Sequence, residues 1–191
     1  MSVSNRRTAV GTLAIGQHPE GETVPGAGFH PEVRIGHVHL RVADLARATV
    51  FYRDILGFDV MAYGPDFGLP GAAFLSSRGY HHHLGLNTWE SEGRTPPPAG
   101  HSGLYHFALL YPGRAELGRA LRHILGRESP IDSAEDHEAT VSVYLRDPDG
   151  NGIELYYDRP RSEWFDPQGG PILRADPFDV CELLSEADNA G

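Results

Sequence analysis

An internal repeat constrains this chain of 191 residues more than any other feature of its sequence. His37 and His106 lie 69 residues apart, and Gly57 and Gly126, which each end an amphipathic helical pattern, lie 69 residues apart as well. Units this short do not bury a core alone, so we expect the two copies to pack into one body. The alternative is that the two halves are unrelated and that these histidine and glycine spacings agree by chance.

The first copy has the pattern of a strand, a helix and three further strands. Apolar and polar residues alternate over 35–42, which predicts a half-buried strand with His37 and His39 on its polar side. Asp44 is placed to cap the helix, and Gly57 is placed to end it in the left-handed conformation. The three further strands are predicted at 58–63, 72–77 and 81–88.

The second copy follows a stiff, proline-rich linker and repeats this order. It predicts a strand over 104–110 and an amphipathic helix that ends at Gly126. Two later strands, at 141–145 and 153–157, are separated by a turn at 147–150. In the tail, Asp176 and Pro177 are predicted to begin a last short helix.

These patterns predict an α+β fold built from two tandem βαβββ modules. The predicted ranges are an N-terminal extension at 1–33, a first module at 34–90, a linker at 91–102, a second module at 103–160 and a C-terminal tail at 161–191.

The composition excludes several classes of function. A net charge of −10 argues against nucleic-acid binding, which needs a basic surface. No apolar run approaches the ~20 residues that span a bilayer. The single cysteine, Cys181, fits a reducing compartment, and the apolar stretch after Arg6 and Arg7 is too short for an export signal. We therefore expect a cytoplasmic protein that binds neither nucleic acid nor membranes.

Overlaying the two copies indicates a metal site between them. The overlay places His37 on His106 and His83 on Glu154. An ion in the cleft would meet one first-strand histidine from each copy and Glu154. Two imidazoles and one carboxylate, with other positions open, suit non-haem Fe(II) and O2 chemistry. Alternation supports an inward Glu154 but leaves His106 undecided, because both faces of its strand are apolar.

Three consecutive histidines at 81–83 precede an apolar run. Imidazole titrates near neutral pH and is the commonest metal ligand, so this run is a candidate wall of a metal or acid–base site. The alternative is a solvated turn rich in histidine.

Several stretches of the sequence resemble vicinal oxygen chelate (glyoxalase/bleomycin resistance/dioxygenase) domains. The opening, at 35–45 and 51–58, is shared across that superfamily and implies a cupped, mixed-sheet domain of two βαβββ modules. The other stretches resemble the catechol-2,3-dioxygenase-like, type I extradiol branch. They are 81–89, 104–108, Asp136-His137 and 144–160.

The resemblance implies a ligand set and a cofactor. The metal ligands would be His37, His106 and Glu154, and the metal would be Fe(II), with Mn(II), Zn(II) or Ni(II) as alternatives. In these enzymes a tyrosine lies ten residues before the glutamate, and Tyr144 and Glu154 keep that spacing.

The resemblance also implies catalytic residues and a reaction. His82 would lie near the O2 site, and His137 and Tyr144 would lie beside the substrate hydroxyls. The implied function is extradiol cleavage of a catechol-type vicinal diol with O2, in a homodimer or larger homo-oligomer. Extradiol enzymes of the family carry four modules, so in this chain the tail, the N-terminal extension or another subunit would supply the remaining substrate contacts.

His82 and His83 point to different functions. Successive strand residues face opposite ways, so both reach one site only if the strand twists or bulges. An inward His83 would be a fourth ligand, as in a glyoxalase-like metal-dependent lyase or isomerase. A third alternative is a non-catalytic protein that binds an aromatic ligand or drug. We favour His82 as the inward residue, because a metal site with open coordination positions needs an acid–base group beside it.

Overall fold

The computed structural model describes residues 30, 32–98, 100–172 and 174–189, without the side chains of 188 and 189. The chain divides into residues 1–34 and a compact unit at 35–191. Every strand and helix of the described residues belongs to the second unit. The predicted N-terminal extension lies almost entirely outside the described residues.

The first module contains one α-helix and four strands in the predicted order, with a short 3-10 helix at Gly64–Phe67 between the second and third strands. The strands are β1 (Val38–Arg41), β2 (Asp59–Tyr63), β3 (Ala72–Ser76) and β4 (Leu84–Asn87), and the helix is α1 (Leu45–Val50), which continues as a π-helical turn at Phe51–Ile55. The strand order is β1-β4-β3-β2, and β1 runs parallel to β4. Asp44 caps α1, since its Oδ1 accepts the Arg47 N–H at 3.0 Å. Gly57 follows with a φ of 78°, as expected of a left-handed helix end.

The second module repeats this arrangement with one strand that the sequence patterns did not reveal. Its elements are β5 (His106–Tyr111), α2 (Arg114–Leu125), β6 (Ser133–Asp136), β7 (Thr140–Arg146) and β8 (Gly152–Asp158). The strand order is β5-β8-β7-β6, again with one parallel pair, β5 and β8. The missed strand is β6, whose half-buried sequence of mostly polar residues shows no apolar alternation. The predicted α+β fold of two βαβββ modules is confirmed.

The prediction for the start of the last helix was wrong. Asp176–Pro177 forms a two-residue strand, β9, antiparallel to the outer edge of β6. The helix, α3 (Val180–Asn189), begins later, and the Asp179 Oδ1 accepts the Cys181 N–H at 2.9 Å. The open edge of β6 offers hydrogen-bonding partners that a tail read by itself does not show.

Helix α3 packs closely on α2. A Cβ atom at Gly118 would lie 2.2 Å from the main-chain oxygen of Leu183, so glycine permits the approach of the two helices. Leu183 is fully buried and Ala187 nearly so. None of the described helices is both long and apolar enough to cross a membrane.

A buried hydrogen bond joins the two modules. The Tyr52 hydroxyl donates to Asp147 Oδ2 at 2.8 Å, and both side chains are buried. Asp149, in the same turn, accepts the Ala43 N–H at 3.2 Å and Arg47 Nη2 at 2.7 Å. The turn between β7 and β8 is therefore tied to the start and the middle of the first module's helix.

Replacing Tyr52 by phenylalanine tests this link. Tyr52→Phe is expected to lower the free energy of unfolding by roughly 1.5–3 kcal/mol, because a buried carboxylate loses a donor. Urea unfolding measures the difference. The matched control is Tyr63→Phe, which removes the hydroxyl of a half-buried tyrosine on β2. A loss no larger than the control's would contradict the link.

Candidate functional site

The register of the second sheet places three of the predicted site residues, His106, Tyr144 and Glu154, on one face. Tyr144 on β7 lies directly opposite Glu154 on β8. His106 on β5 pairs with Gly152, two residues before Glu154, and therefore lies on the same side of the sheet. The opposite side is the core face, which buries Leu145 and the alternate residues of β8.

Four of the six predicted site residues form one continuous chain of polar contacts. His106 Nε2 lies 3.0 Å from Glu154 Oε2. The Tyr144 hydroxyl donates to Glu154 Oε1 at 3.1 Å, and His137 Nε2 lies 2.9 Å from that hydroxyl. The side chains of His106 and Glu154 are 30% and 14% exposed, so this series of contacts is shielded from solvent but still accessible to a small molecule.

Burial controls the protonation of Tyr144. Burial, and then the neighbouring carboxylate of Glu154, raises the pKa of Tyr144 to about 12. The phenol is therefore protonated at neutral pH and acts as a hydrogen-bond donor.

His137 has two partners that the sequence did not indicate. Its Nδ1 lies against the main-chain oxygen of Arg174, in the tail. Its Nε2 lies 3.7 Å from Glu135 Oε2. Glu135 was missed because β6 was missed, and no side-chain motif marks a main-chain carbonyl.

His37 and His82 lie together in the first module. His37 comes just before β1, and its ring centroid is 4.6 Å from that of His82. The His82 ring also contacts Phe74, with centroids 5.2 Å apart. Burial, and then the nearby imidazole of His37, lowers the pKa of His82. His82 is therefore a neutral imidazole at pH 7 that is able to accept a proton.

The prediction that the three consecutive histidines begin a strand at 81–88 was wrong for these residues. β4 begins at Leu84, and 81–83 form a bend before it. Strand alternation therefore does not force His82 and His83 to opposite faces. His83 Nδ1 lies 3.0 Å from Ser76 Oγ and accepts the Ser77 N–H at 3.3 Å.

A cleft of about 610 Å³ lies between the two modules. His37, His83 and His106 all line it. His37 of the first module and His106 of the second thus line one cleft, together with His83.

The predicted metal ligands are only partly assembled. His106 and Glu154 are in contact, and His37 opens on the same cleft as His106. Within residues 30, 32–98, 100–172 and 174–189, however, no three His, Cys, Asp or Glu side chains lie close enough to hold a metal ion. The donor chemistry of imidazole and carboxylate fits a divalent first-row metal. The ligand set of His37, His106 and Glu154 stays a prediction.

Residues 34–155 match the family model of the Glyoxalase/Bleomycin resistance protein/Dioxygenase superfamily. The chain belongs to this superfamily.

Two curated relatives support the extradiol-like branch of the superfamily. Catechol-2,3-dioxygenase of Bacillus subtilis (strain 168) is 37% identical over 160 residues, which cover 83% of this chain and 54% of the relative. Biphenyl-2,3-diol 1,2-dioxygenase 3 of Rhodococcus globerulus is 32% identical over 130 residues, which cover 65% of this chain and 63% of the relative. The chain thus spans 54% of the length of the first relative and 63% of the second.

Solved structures of the superfamily share the fold. Lactoylglutathione lyase from Agrobacterium tumefaciens superposes with a TM-score of 0.52 at 26% identity, covering 67% of this chain and 96% of that one. A glyoxalase/dioxygenase from Nostoc punctiforme gives a TM-score of 0.55 at 23% identity, covering 66% and 92%.

Gly152 is where the geometry of His106 and Glu154 is most easily disturbed. A Cβ atom there would lie 2.2 Å from the Tyr105 main-chain oxygen and 3.0 Å from the His106 Cβ. Gly152→Ala is expected to push β5 from β8 and lower the free energy of unfolding by roughly 1–3 kcal/mol. Urea unfolding measures the loss. The control is Gly103→Ala, which meets no atom within 4 Å, and equal effects of both changes would contradict the prediction.

Proposed function

We propose that this chain is an Fe(II)-dependent extradiol dioxygenase that cleaves a catechol-type aromatic vicinal diol with O2. The observation that supports this most is the chain of contacts from His106 through Glu154 and Tyr144 to His137. It brings a pair of metal-binding side chains beside a phenol and an imidazole suited to proton transfer. The two curated relatives are named as dioxygenases of aromatic diols.

His37, His106 and Glu154 would hold the metal, with Mn(II), Zn(II) or Ni(II) as alternatives to Fe(II). Ferrous iron, when bound, supplies the redox chemistry that lets O2 react with a diol. His106 and Glu154 already lie in contact, and His37 lines the same cleft as His106.

The remaining residues would bind the diol and move protons. Tyr144, protonated at neutral pH because of its raised pKa, would donate a hydrogen bond to one substrate oxygen. His137, 2.9 Å from the Tyr144 hydroxyl, would accept a proton from that side. His82, whose lowered pKa keeps it neutral, would be the acid–base group next to His37. A cytoplasmic location and a homodimer or larger homo-oligomer stay predictions from the sequence.

One observation favours a second candidate, a metal-dependent lyase or isomerase. His83 lines the cleft together with His37 and His106. Its Nδ1 already accepts the Ser77 N–H, which leaves Nε2 as the nitrogen available to a metal. The fold is shared with the lactoylglutathione lyase of A. tumefaciens at 26% identity. This candidate predicts a redox-inert metal with His83 as a fourth ligand.

An oxygen-uptake assay tests both candidates. The protein is loaded with Fe(II) without air, mixed with catechol or biphenyl-2,3-diol, and then exposed to O2. A ring-opened product that absorbs visible light, formed with oxygen uptake, is expected. Glu154→Gln and Tyr144→Phe are expected to lower kcat/KM by about 100-fold, because one removes a metal ligand and the other a proton donor.

The matched controls are Glu116→Gln, on α2, and Tyr63→Phe, and both are expected to keep full activity. No product and no oxygen uptake with either diol would sink the dioxygenase proposal. Tight zinc or nickel binding that His83→Ala abolishes, without oxygen uptake, would favour the lyase.

A further inference from the structure

The tail passes along the outer edge of the second sheet, beside His137. We call residues 174–178 the C-terminal strap. Within the strap, Asp176 pairs with Asp136 and Pro177 with Glu135, and the Phe178 N–H donates to the Ala134 main-chain oxygen at 3.0 Å. The strap then leads into α3, which is anchored on α2. It is thus held by main-chain bonds on one side and, after it, by α3, which buries Leu183 and Ala187.

Arg174 makes three contacts at the start of the strap. Its main-chain oxygen lies against His137 Nδ1. Its guanidinium binds Glu138 Oε1 at 2.7 Å and Asp176 Oδ2 at 3.0 Å. One ion pair thus joins Arg174 to Glu138, the residue after His137, and the other joins it to Asp176 within the strap. Together they fix the position of the Arg174 carbonyl.

The backbone next to His137 is in an uncommon conformation that these contacts maintain. Glu138 has a φ of 63°, in the left-handed region that is disfavoured for a residue other than glycine. Asp136 Oδ1 accepts the Glu138 N–H at 2.8 Å, and Arg174 holds the Glu138 carboxylate. The bend aims the His137 ring between the strap and Tyr144.

The carbonyl of Arg174 selects one form of the His137 ring. A carbonyl oxygen only accepts hydrogen bonds, so the ring nitrogen that faces it carries a proton. In the neutral ring, His137 Nδ1 is therefore the donor and Nε2 carries the lone pair. That lone pair faces the Tyr144 hydroxyl, 2.9 Å away, whose single proton goes either to Nε2 or to Glu154 Oε1 at 3.1 Å. The other tautomer would set a lone pair against the carbonyl oxygen.

We propose that the C-terminal strap is a positioning element of the site, in which the Arg174 carbonyl holds His137 in the tautomer protonated at Nδ1. The ion pairs of Arg174 keep the carbonyl in place, and Nε2, which faces the Tyr144 hydroxyl and lies 3.7 Å from Glu135 Oε2, is the nitrogen left to accept the proton of Tyr144 or of a diol hydroxyl. The catalytic meaning of this arrangement rests on the proposed function. The tautomer itself requires neither metal nor substrate.

Nitrogen-15 NMR of the intact, metal-free chain tests the proposal directly. The His137 ring signals, among those of 11 histidines, are assigned by their absence from His137→Gln. At a pH where the ring is neutral, the expected spectrum is that of a ring protonated at Nδ1. A ring protonated at Nε2, or an even mixture of tautomers, would overturn the proposal.

Variants of Arg174 test whether the strap sets the tautomer. Arg174→Ala removes both ion pairs and is expected to give a mixture of tautomers, whereas Arg174→Lys keeps the positive charge and should restore much of the original signal. The matched control is Arg119→Ala, an exposed arginine on α2 whose ion pair with Glu116 lies at 2.6 Å. It should leave the His137 signals unchanged. Circular dichroism checks that each variant is folded.

The two proposals fail in different ways. If diol cleavage is observed, Arg174→Ala should lower kcat by about tenfold with KM within about twofold, because the substrate still binds. If the wild-type chain cleaves no diol, the proposed function fails while the tautomer result stands. An Nδ1-protonated ring that persists unchanged in folded Arg174→Ala overturns the role of the strap, whatever the activity.

A second variant covers the case in which Arg174→Ala does not fold. Asp176→Asn weakens only one ion pair and should shift the tautomer signals in the same direction. An unchanged spectrum in this variant overturns the role of the strap.

Discussion

The buried carboxylate of Asp147 is the interaction on which the rest of the structure depends. Its Oδ2 accepts the Tyr52 hydroxyl and the Asn151 side-chain amide, each at 2.8 Å. Its Oδ1 accepts the main-chain N–H groups of Asp149 at 2.9 Å and Asn151 at 2.8 Å. A charge that is only 4% exposed is stable in a fold when it is hydrogen-bonded in this way. Because Tyr52 belongs to the other module, the same carboxylate shapes a turn and joins two halves.

That turn determines the chemistry of the second module. It sets the register in which Tyr144 faces Glu154, and a slip of one residue would turn one of them toward the core. The parallel pairing of β5 with β8 then brings His106 to the same carboxylate. The contacts among these three residues thus follow from main-chain hydrogen bonds in a continuous ladder, which makes this part of the site rigid.

The first module contributes its histidines differently. His37 precedes a strand, and His82 and His83 lie in a bend, where ring contacts and two serines hold their side chains. The main chain of His83 is also bonded to β3 and β1, since its N–H donates to the Leu75 oxygen at 2.8 Å and its oxygen accepts the Val38 N–H at 2.9 Å. The tail contributes in a third way, through the main chain of Arg174. The candidate site thus takes side chains from strands, side chains from a bend and a main-chain oxygen from the tail.

The sequence by itself determined the architecture and the candidate residues. The repeat and the alternation predicted two βαβββ modules, because periodicity reports which face a side chain takes. Asp44 and Gly57 marked helix ends, because their chemistry at those positions is local. Tyr144 and Glu154 could be placed on one side of adjacent strands for the same reason.

Tertiary structure decided what local patterns do not encode. The half-buried strand β6 is recognisable only between β7 and β9. Asp176 and Pro177 have the local form of a helix start, yet the open edge of β6 makes them a strand. The place of Tyr52 opposite Asp147, and of the Arg174 carbonyl against His137, depends on segments 95 and 37 residues apart that meet only in the folded chain. A sequence pattern shows how a residue is oriented in its own element, whereas the partner it meets is set by the packing of distant elements.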